Sequence, residues 1–354
     1  MTGVAKVEVA RVELAPGYSV ARIVNGGWQL SEGHHPSPVD ARAAVDAMAR
    51  LADAGFTTFD CADIYTGVEE LVGRFLASYP RRSEIQVHTK LVPDKSALRQ
   101  VDRRYVERIV DRSLSRLGVE RLDLVQYHWW DASVPGAVET ALWLRELQEA
   151  GKVRLLGATN FGVRELRAIV EAGVPIAVHQ VQYSLLDRRP ENGMVDLCAE
   201  HGIRLLSYGS LAGGFLTDRY LDRDEPTDPM PNRSLVKYKL IIEEFGGWEL
   251  FQELLGAMKR VAGKHGVTVA NVAARWVLER PRVAGVIVGA RTAEHVRGNL
   301  ATFGLELDDD DRRRLAAVTA RSSGPEGDVF DLERKPRGRH SVIMKTDLNR
   351  LSSP

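Results

Sequence analysis

The strongest constraint on the fold is a regular alternation between short apolar segments and longer amphipathic segments, from residue 18 to residue 303. The apolar segments are rich in Val, Leu and Ile without strict polar alternation, which is typical of strands buried on both faces of a parallel sheet. The amphipathic segments have helical spacing, and several end on a glycine, such as Gly55 and Gly118. Eight strand–helix units are present, so the sequence predicts an α/β fold, the (β/α)8 TIM barrel.

An open doubly wound sheet is the main alternative for an α/β chain. It would carry a G-x-G-x-x-G phosphate-binding pattern after its first strand. Here the first strand, predicted over residues 18–28, instead ends in Gly26-Gly27-Trp28. We therefore expect a single barrel over residues 1–320. It begins with an N-terminal β-hairpin, because the first residues alternate in strand fashion.

Two segments fall outside the repeat. Residues 217–247 follow strand seven and are rich in Pro and Asp, which is typical of a long lid loop at the C-terminal end of a barrel strand. Residues 321–354 form a C-terminal extension rich in Gly, Pro and charge. Because chain ends are usually peripheral, we expect this tail to lie on the surface; the alternative is that it crosses the substrate pocket.

Charge and cysteine content limit the classes of function. The 48 basic and 48 acidic residues give zero formal net charge, so no overall attraction to nucleic acid or to an anionic membrane is expected. Two cysteines are too few for a disulfide framework, and no apolar run reaches the ~18 residues of a membrane span. The N-terminus lacks the apolar core of a signal peptide. We expect a cytoplasmic protein with a small-molecule partner, and the sequence leaves its oligomeric state open.

Four polar residues lie at or just after three consecutive predicted strands. Asp60 ends strand two, with Tyr65 in the loop beyond it; Lys90 ends strand three, and His128 ends strand four. In a (β/α)8 barrel these ends meet at the face that carries active sites. An ammonium group stabilises a neighbouring phenolate, a carboxylate offsets the cost of burying that ammonium, and an imidazole orients a carbonyl oxygen. Each residue alone has an ordinary structural interpretation. Together they suit protonation of the alkoxide that forms when hydride adds to a carbonyl.

None of the four side chains donates hydride, so the chemistry needs a reduced nicotinamide. The segments FDCADIY, HTK and QYHWW resemble the Asp-Tyr, lysine and histidine motifs of the aldo-keto reductase family, and the resemblance covers about residues 18–305. It implies an enzyme that reduces an aldehyde or a ketone with NADPH. Tyr65 would be the general acid and base, and Lys90 would lower its pKa. Asp60 would pair with Lys90, and His128 would orient the substrate carbonyl.

The same resemblance implies a set of cofactor contacts. Thr159 and Asn160 of GATNF, with Gln180 of HQVQY, would hydrogen-bond the nicotinamide carboxamide, and Tyr208 would stack on its ring. The loop after Tyr208 would lie along the pyrophosphate through its backbone N–H groups. The residues of this loop assigned to the cofactor are Gly209, Ser210, Leu211 and Gly213.

The adenosine end departs from the better-known members of the family. Gly289 stands where they have a lysine, and His295 stands where they have an arginine. Arg291 lies between these positions and suits a 2′-phosphate through its planar, charge-assisted fork. Asn299 matches a position that contacts the adenine. We expect NADPH to be preferred, with NADH as the possible alternative.

Aromatic residues cluster at the predicted pocket mouth. Trp28, Trp129 and Trp130 suit either core packing or an aromatic wall for an apolar carbonyl substrate, and Trp28 and Trp129 match pocket positions of the family. Tyr238 and Trp248 of the lid region are candidates for closing over substrate.

Two other functions stay open at this point. A cofactor-binding regulatory subunit of a larger assembly would keep the same four residues with little turnover. A metal-dependent hydrolase would use His34, His35, His128 and Asp131. The metal site is disfavoured because His34 and His35 are adjacent in a Pro-rich loop, whereas such sites use spaced histidines that face one point. Cys61, inside the Asp-Tyr motif, is expected to be a small buried filler.

Overall fold

The computed structural model describes residues 8–32, 38–227 and 229–349. Strands β1 (Arg11–Ala15) and β2 (Tyr18–Ala21) form an antiparallel hairpin. Eight parallel strands then close a barrel in the order β10-β3-β4-β5-β6-β7-β8-β9. These strands are β3 (Ile23–Gly26), β4 (Thr58–Asp60), β5 (Gln86–Leu91), β6 (Leu122–Tyr127), β7 (Val153–Thr159), β8 (Ile176–Gln182), β9 (Arg204–Tyr208) and β10 (Val283–Gly289). The predicted (β/α)8 barrel with an N-terminal hairpin is confirmed.

The single strand predicted over residues 18–28 is wrong, because the chain divides there into β2 and β3. The break is at Arg22, whose guanidinium donates to the carbonyl oxygens of Leu278, Val283 and Ala284. Residues before it pair antiparallel with β1, and residues after it pair parallel with β10. The hairpin is therefore a separate two-stranded sheet, although one continuous apolar segment of sequence forms both β2 and β3.

Helices surround the barrel strands. They are α1 (Ala41–Asp53), α2 (Val68–Ser78), α3 (Arg103–Leu117), α4 (Ala137–Glu149), α5 (Val163–Glu171), α6 (Met194–Glu200), α7 (Arg233–Phe245), α8 (Gly247–His265), α9 (Val269–Leu278), α10 (Val296–Gly304), α11 (Asp309–Thr319) and α12 (Asp331–Arg334). Helix α3 illustrates the local rules. Asp102 caps its N-terminus by accepting from the Tyr105 N–H, and Gly118 ends it in the left-handed conformation that glycine adopts without strain.

The core has two parts. Apolar faces of the helices pack on the outside of the barrel; in α3, Val106, Ile109 and Val110 are buried. Burial of each such side chain is worth roughly 1.5–3 kcal/mol. A smaller cluster fills the barrel interior, formed by Val24, Leu124, Val178, Leu206 and Ala284. Because this interior is packed, it rigidly supports the polar residues at the C-terminal ends of the strands.

The lid region is more ordered than a loop. Within residues 217–247, helix α7 begins after Asn232, whose side chain accepts from the Leu235 N–H at 3.0 Å. It buries Tyr238, Ile241, Ile242 and Phe245, which have helical spacing. Among the described residues, no helix is long and apolar enough to cross a membrane.

Candidate active site

A buried ion pair lies at the ends of β4 and β5. Asp60 is opposite His88 in the parallel register, and Lys90 is two residues further along β5, so its side chain leaves the strand on the same face as that of His88. The Nζ of Lys90 lies 2.6 Å from Oδ2 of Asp60 and 2.8 Å from the Cys61 carbonyl oxygen. The two side chains are only 5% and 4% exposed. Burial of both charges is offset by their mutual attraction and by these additional hydrogen bonds.

Two glutamines hold the other oxygen of Asp60. Oδ1 accepts from Nε2 of Gln126 at 2.9 Å and from Nε2 of Gln180 at 2.7 Å. The same Gln180 nitrogen lies 2.8 Å from Oε1 of Gln126. Because a carboxylate only accepts, both amide nitrogens must face Asp60. Asp60, Lys90, Gln126 and Gln180 are called the acid cluster below.

The acid cluster contains one residue that the sequence interpretation missed and one that it used differently. Gln126 lies near the end of β6, two residues before His128. Strand alternation therefore predicts that its side chain faces the barrel interior like that of His128. Gln180 was expected to meet the nicotinamide carboxamide. Its amide nitrogen is engaged with Asp60 and Gln126, so only its oxygen is left for that contact.

Tyr65 lies above the acid cluster. Its ring centroid is 4.8 Å from the Lys90 ammonium nitrogen and 5.0 Å from the Trp28 ring centroid. Burial raises the pKa of Tyr65 above its ordinary value of 10.0, while the Lys90 ammonium opposes this rise. The expected effect of Lys90 on the tyrosine is therefore present, but burial outweighs it. The phenol is protonated at neutral pH. Cys61 is fully buried beside this site, as expected of a small filler.

His128 follows β6 and is 2% exposed. Its Nδ1 lies 2.9 Å from the carbonyl oxygen of Thr159, and its Nε2 is buried without a hydrogen-bond partner among the described residues. Burial, aided by the nearby Arg334 guanidinium, lowers the pKa of His128 to about 3. The imidazole is therefore neutral at physiological pH.

The two tryptophans after His128 point in different directions. The Trp130 ring meets the His128 ring edge-on at 4.5 Å between centroids. Trp129 instead packs on Tyr127, and its Nε1 donates to the Val134 carbonyl in the loop that leads to α4. Trp28 and Trp130 thus lie at the site, whereas Trp129 packs outside it.

Unpartnered hydroxyls mark the expected cofactor side. Oγ1 of Thr159 and Oγ of Ser210 are buried without a partner among the described residues. Buried polar atoms normally have partners, so these two atoms suit the polar groups of a ligand. Asn160 adopts a left-handed φ of 59° and accepts from the Tyr208 hydroxyl at 2.8 Å. The donors and acceptors present at the ends of β7 and β9 fit a nicotinamide carboxamide and a phosphate oxygen.

Helix α7 covers the loop after β9. A Cβ atom at Gly209 or Gly213 would lie 2.5 or 2.7 Å from atoms of Tyr238, and both glycines have positive φ. The Nζ of Lys237 lies 5.0 Å from the Tyr208 ring centroid, so it covers one face of that ring. Trp248, the other lid candidate, packs with Phe215, Tyr220 and Phe251, apart from the four catalytic candidates.

The adenosine candidates lie along one segment that begins with the last residue of β10. Gly289 is the last residue of β10, and a Cβ there would be 2.5 Å from Oε1 of Gln29. Arg291 and His295 are exposed. The Asn299 N–H donates to the His295 carbonyl at 2.8 Å in α10.

The expectation that the C-terminal tail is peripheral is wrong. The Phe330 ring meets the His128 ring edge-on at 5.5 Å. Arg334 donates to the carbonyl oxygens of Trp129, Trp130 and Asn160 at 3.2, 3.3 and 2.6 Å. These carbonyls follow two barrel strands and point toward the mouth, so a guanidinium fork can satisfy them together. The tail crosses the face where the site lies.

Buried charges connect this tail to the barrel and to α7. Glu333 accepts from Arg189 at 3.1 Å and lies 3.4 Å from the Lys237 ammonium. Arg189 also pairs with Asp187 at 2.7 Å. The four charges sum to zero, which makes their burial tolerable. We call α7 together with residues 321–349 the cover.

The far end of the tail is anchored beside the Tyr65 loop. Asn349 donates from Nδ2 to Oδ2 of Asp63 at 3.0 Å and from its backbone N–H to Asp94 at 2.8 Å. Arg112 donates to the Asn349 carbonyl at 3.1 Å. Burial raises the pKa of Asp63 to about 7.

The residues of the proposed metal site are only partly described. His34 and His35 lie outside the described residues. In the part of the chain that is described, no group of three or more His, Cys, Asp or Glu residues could hold a metal ion.

Comparison with known proteins adds to this geometry. Residues 22–320 match the profile described as the aldo/keto reductase family. The chain is 32% identical to a chloroplastic pyridoxal reductase of Arabidopsis thaliana, over 86% of this chain and 84% of that protein. It is 26% identical to an NADH-specific methylglyoxal reductase of Escherichia coli, over 83% and 93%. The structure of a glycerol dehydrogenase from Gluconobacter oxydans matches with a TM-score of 0.76 and 27% identity, over 91% and 98%.

Proposed function

The chain belongs to the aldo/keto reductase family and is an NAD(P)H-dependent oxidoreductase, and we propose that it reduces an aldehyde or a ketone with Tyr65 as proton donor. The observation that carries this proposal is the buried Lys90–Asp60 pair, with the Lys90 ammonium 4.8 Å from the Tyr65 ring centroid. A fixed positive charge next to a phenol stabilises the phenolate that remains after proton transfer.

The reaction divides between cofactor and protein. The reduced nicotinamide supplies the hydride when it is bound. Tyr65 gives its proton to the carbonyl oxygen as negative charge develops there, and the O–H bond of the phenol breaks. Lys90 stabilises the resulting phenolate, and Asp60 holds Lys90 in place through its short contact. His128 lines the site as a neutral side chain. The phenolate then recovers a proton from water, which restores the acid.

We propose that Thr159, Asn160 and Gln180 hold the nicotinamide end, and that Tyr208 stacks on it after Lys237 has moved aside. The buried, unpartnered Thr159 hydroxyl supports this assignment. Backbone N–H groups of Gly209 to Gly213 would bind the pyrophosphate. Arg291 would bind a 2′-phosphate, so NADPH is preferred. Titration of the apo-protein with each cofactor tests this preference, and tighter binding of NADH would overturn it.

The central experiment is steady-state oxidation of NADPH with a panel of aldehydes and ketones. Tyr65→Phe is expected to lower turnover by about 10²- to 10⁴-fold, the usual contribution of general acid catalysis, with NADPH affinity nearly unchanged. Tyr220→Phe is the matched control, because Tyr220 packs on Phe215 in another part of the chain. Turnover that is absent from the native protein, or unaffected by Tyr65→Phe, would favour a cofactor-binding regulatory subunit instead. Cytoplasmic location stays a prediction.

A further inference from the structure

The ammonium group of Lys237 lies in a cage of three aromatic rings. Its Nζ is 5.0 Å from the Tyr208 ring centroid, 5.8 Å from that of Phe330 and 5.9 Å from that of Tyr238. A cation within about 6 Å of a ring centroid is attracted by the negative face of the ring. The rings come from β9, the tail and α7, so the folded chain assembles a site for a positive charge over Tyr208.

Glu333 supplies the negative charge of this cage. Its Oε1 lies 3.4 Å from Nζ of Lys237, and its side chain is fully buried. Burial raises the pKa of Glu333, but Lys237 and Arg189 outweigh this effect and lower the pKa to about 2. The carboxylate is therefore ionised. Its charge also reaches Tyr208, because Glu333 adds to the effect of burial in raising the pKa of that phenol.

Cofactor binding changes the charge balance around Glu333. Since Tyr208 is the residue proposed to stack on the nicotinamide, the ring takes the place of the Lys237 ammonium. Burial lowers the pKa of Lys237, so its ammonium regains hydration when it moves to solvent. Glu333 and Asp187 then keep Arg189 as their shared cation. Two carboxylates and one guanidinium leave one net negative charge beside the ring.

The two redox states of the cofactor interact differently with this negative charge. The oxidised nicotinamide ring is a cation, and the reduced ring is neutral. Hydride transfer moves a proton and two electrons from the reduced ring to the carbonyl carbon, which leaves one positive charge on the ring. A fixed carboxylate stabilises a positive charge that develops near it, most strongly where water is excluded.

Resting on the proposed carbonyl reduction, we infer that Glu333 of the C-terminal tail favours oxidised over reduced cofactor at Tyr208 and thereby makes bound NADPH a stronger hydride donor. Tighter binding of the oxidised form shifts the equilibrium of hydride transfer on the protein by the same factor. Arg334, the next residue, is held by three carbonyl oxygens at the barrel mouth. Its positive charge is therefore the same whether residue 333 is glutamate or glutamine.

The test compares the dissociation constants of NADP⁺ and NADPH, measured by fluorescence titration of the native protein and its variants. In Glu333→Gln the ratio of Kd for NADP⁺ to Kd for NADPH should rise roughly 10-fold, as expected when one of two unit charges about 10 Å apart is removed at an effective dielectric constant of about 20. Glu333→Asp keeps the charge and should restore most of the native ratio. An unchanged ratio in Glu333→Gln overturns the inference.

Asp331→Asn is the matched control. It removes one negative charge from the same short helix, α12, at an exposed position. Its ratio should equal the native ratio. A loosened tail changes the affinities for both cofactors in the same direction, so the ratio separates the charge of Glu333 from its role in holding the tail. An equal rise in Asp331→Asn and Glu333→Gln also overturns the inference.

Failure of the proposed function has a different signature. The binding ratio needs no carbonyl substrate, so it shifts in Glu333→Gln even when no aldehyde or ketone is turned over. In the opposite case, carbonyl turnover persists while the ratio is the same in the native protein and in Glu333→Gln. That result overturns the role of Glu333 and leaves the proposed function intact.

Discussion

The acid cluster and the cover are held together in different ways. Each member of the acid cluster comes from a barrel strand, and their spacing follows from strand register. The cover is attached by contacts between segments far apart in the chain, such as Glu333 to Arg189, 144 residues apart. The chemistry is thus built into the rigid barrel, whereas access to it depends on individual side-chain contacts that a substitution can weaken one at a time. The predictions below test this difference.

The largest effect is expected when the buried pair of the acid cluster is broken. Lys90→Met leaves Asp60 without its counter-charge and should destabilise the protein by about 3–5 kcal/mol. The measurement is the free energy of unfolding in urea. Lys152→Met is the matched control, because Lys152 pairs with Asp111 at 2.5 Å on the exposed surface, where such a pair is worth about 0–1 kcal/mol. Equal losses in the two variants would mean that the barrel does not hold this pair rigidly.

A smaller effect is expected in the cover. Glu333→Gln removes the negative charge that joins Arg189 to Lys237 and should cost about 1.5–3 kcal/mol, the usual value for a hydrogen bond to a charged group. The tail should then be cut faster by a protease, and NADPH should associate faster, because Lys237 is freed from its place over Tyr208. Glu200→Gln is the control, since its pair with Arg167 at 2.9 Å is exposed and lies outside the cover. A protected tail with an unchanged association rate contradicts the proposed attachment.

The difference between the acid cluster and the cover also explains which features could be predicted from the sequence. Asp60 and Tyr65 are five residues apart, and Lys90 and His128 end the next two strands, so local pattern and barrel geometry were enough to place them together. Gln126 was missed although its alternation with His128 indicates that it faces inward. Trp129 was expected at the pocket mouth but packs on Tyr127, because it follows the end of β6, where strand alternation no longer fixes side-chain directions.

Local sequence patterns do not predict the position of the tail. Phe330 and Glu333 lie in a Gly- and Pro-rich segment whose composition is typical of a surface extension. Their burial depends on Arg189, Lys237 and His128, which come from three separate units of the barrel. Contacts of this kind follow no periodic sequence pattern, so they are seen only in the folded chain.

The smallest effect is expected at the far anchor of the cover, and it depends on pH. Burial raises the pKa of Asp63 from its ordinary 3.8 to about 7, while the Asn349 amide stabilises the ionised form and opposes this rise. The folded state therefore binds more protons than the unfolded state between these values. The contribution of Asp63 protonation to the free energy of unfolding is fully present below pH 3.8 and is lost as the pH rises through about 7.

Asn349→Ala removes that amide and should raise the pKa of Asp63 further. The loss in unfolding free energy should be about 0.5–1.5 kcal/mol, smaller near pH 5, where Asp63 is protonated, than near pH 8, where it is ionised. Urea unfolding at both pH values measures the difference. In an Asp63→Asn background the same substitution should cost the same at both values, because no charge is left to stabilise. A pH-dependent cost that persists in this background would assign the titration to a group other than Asp63.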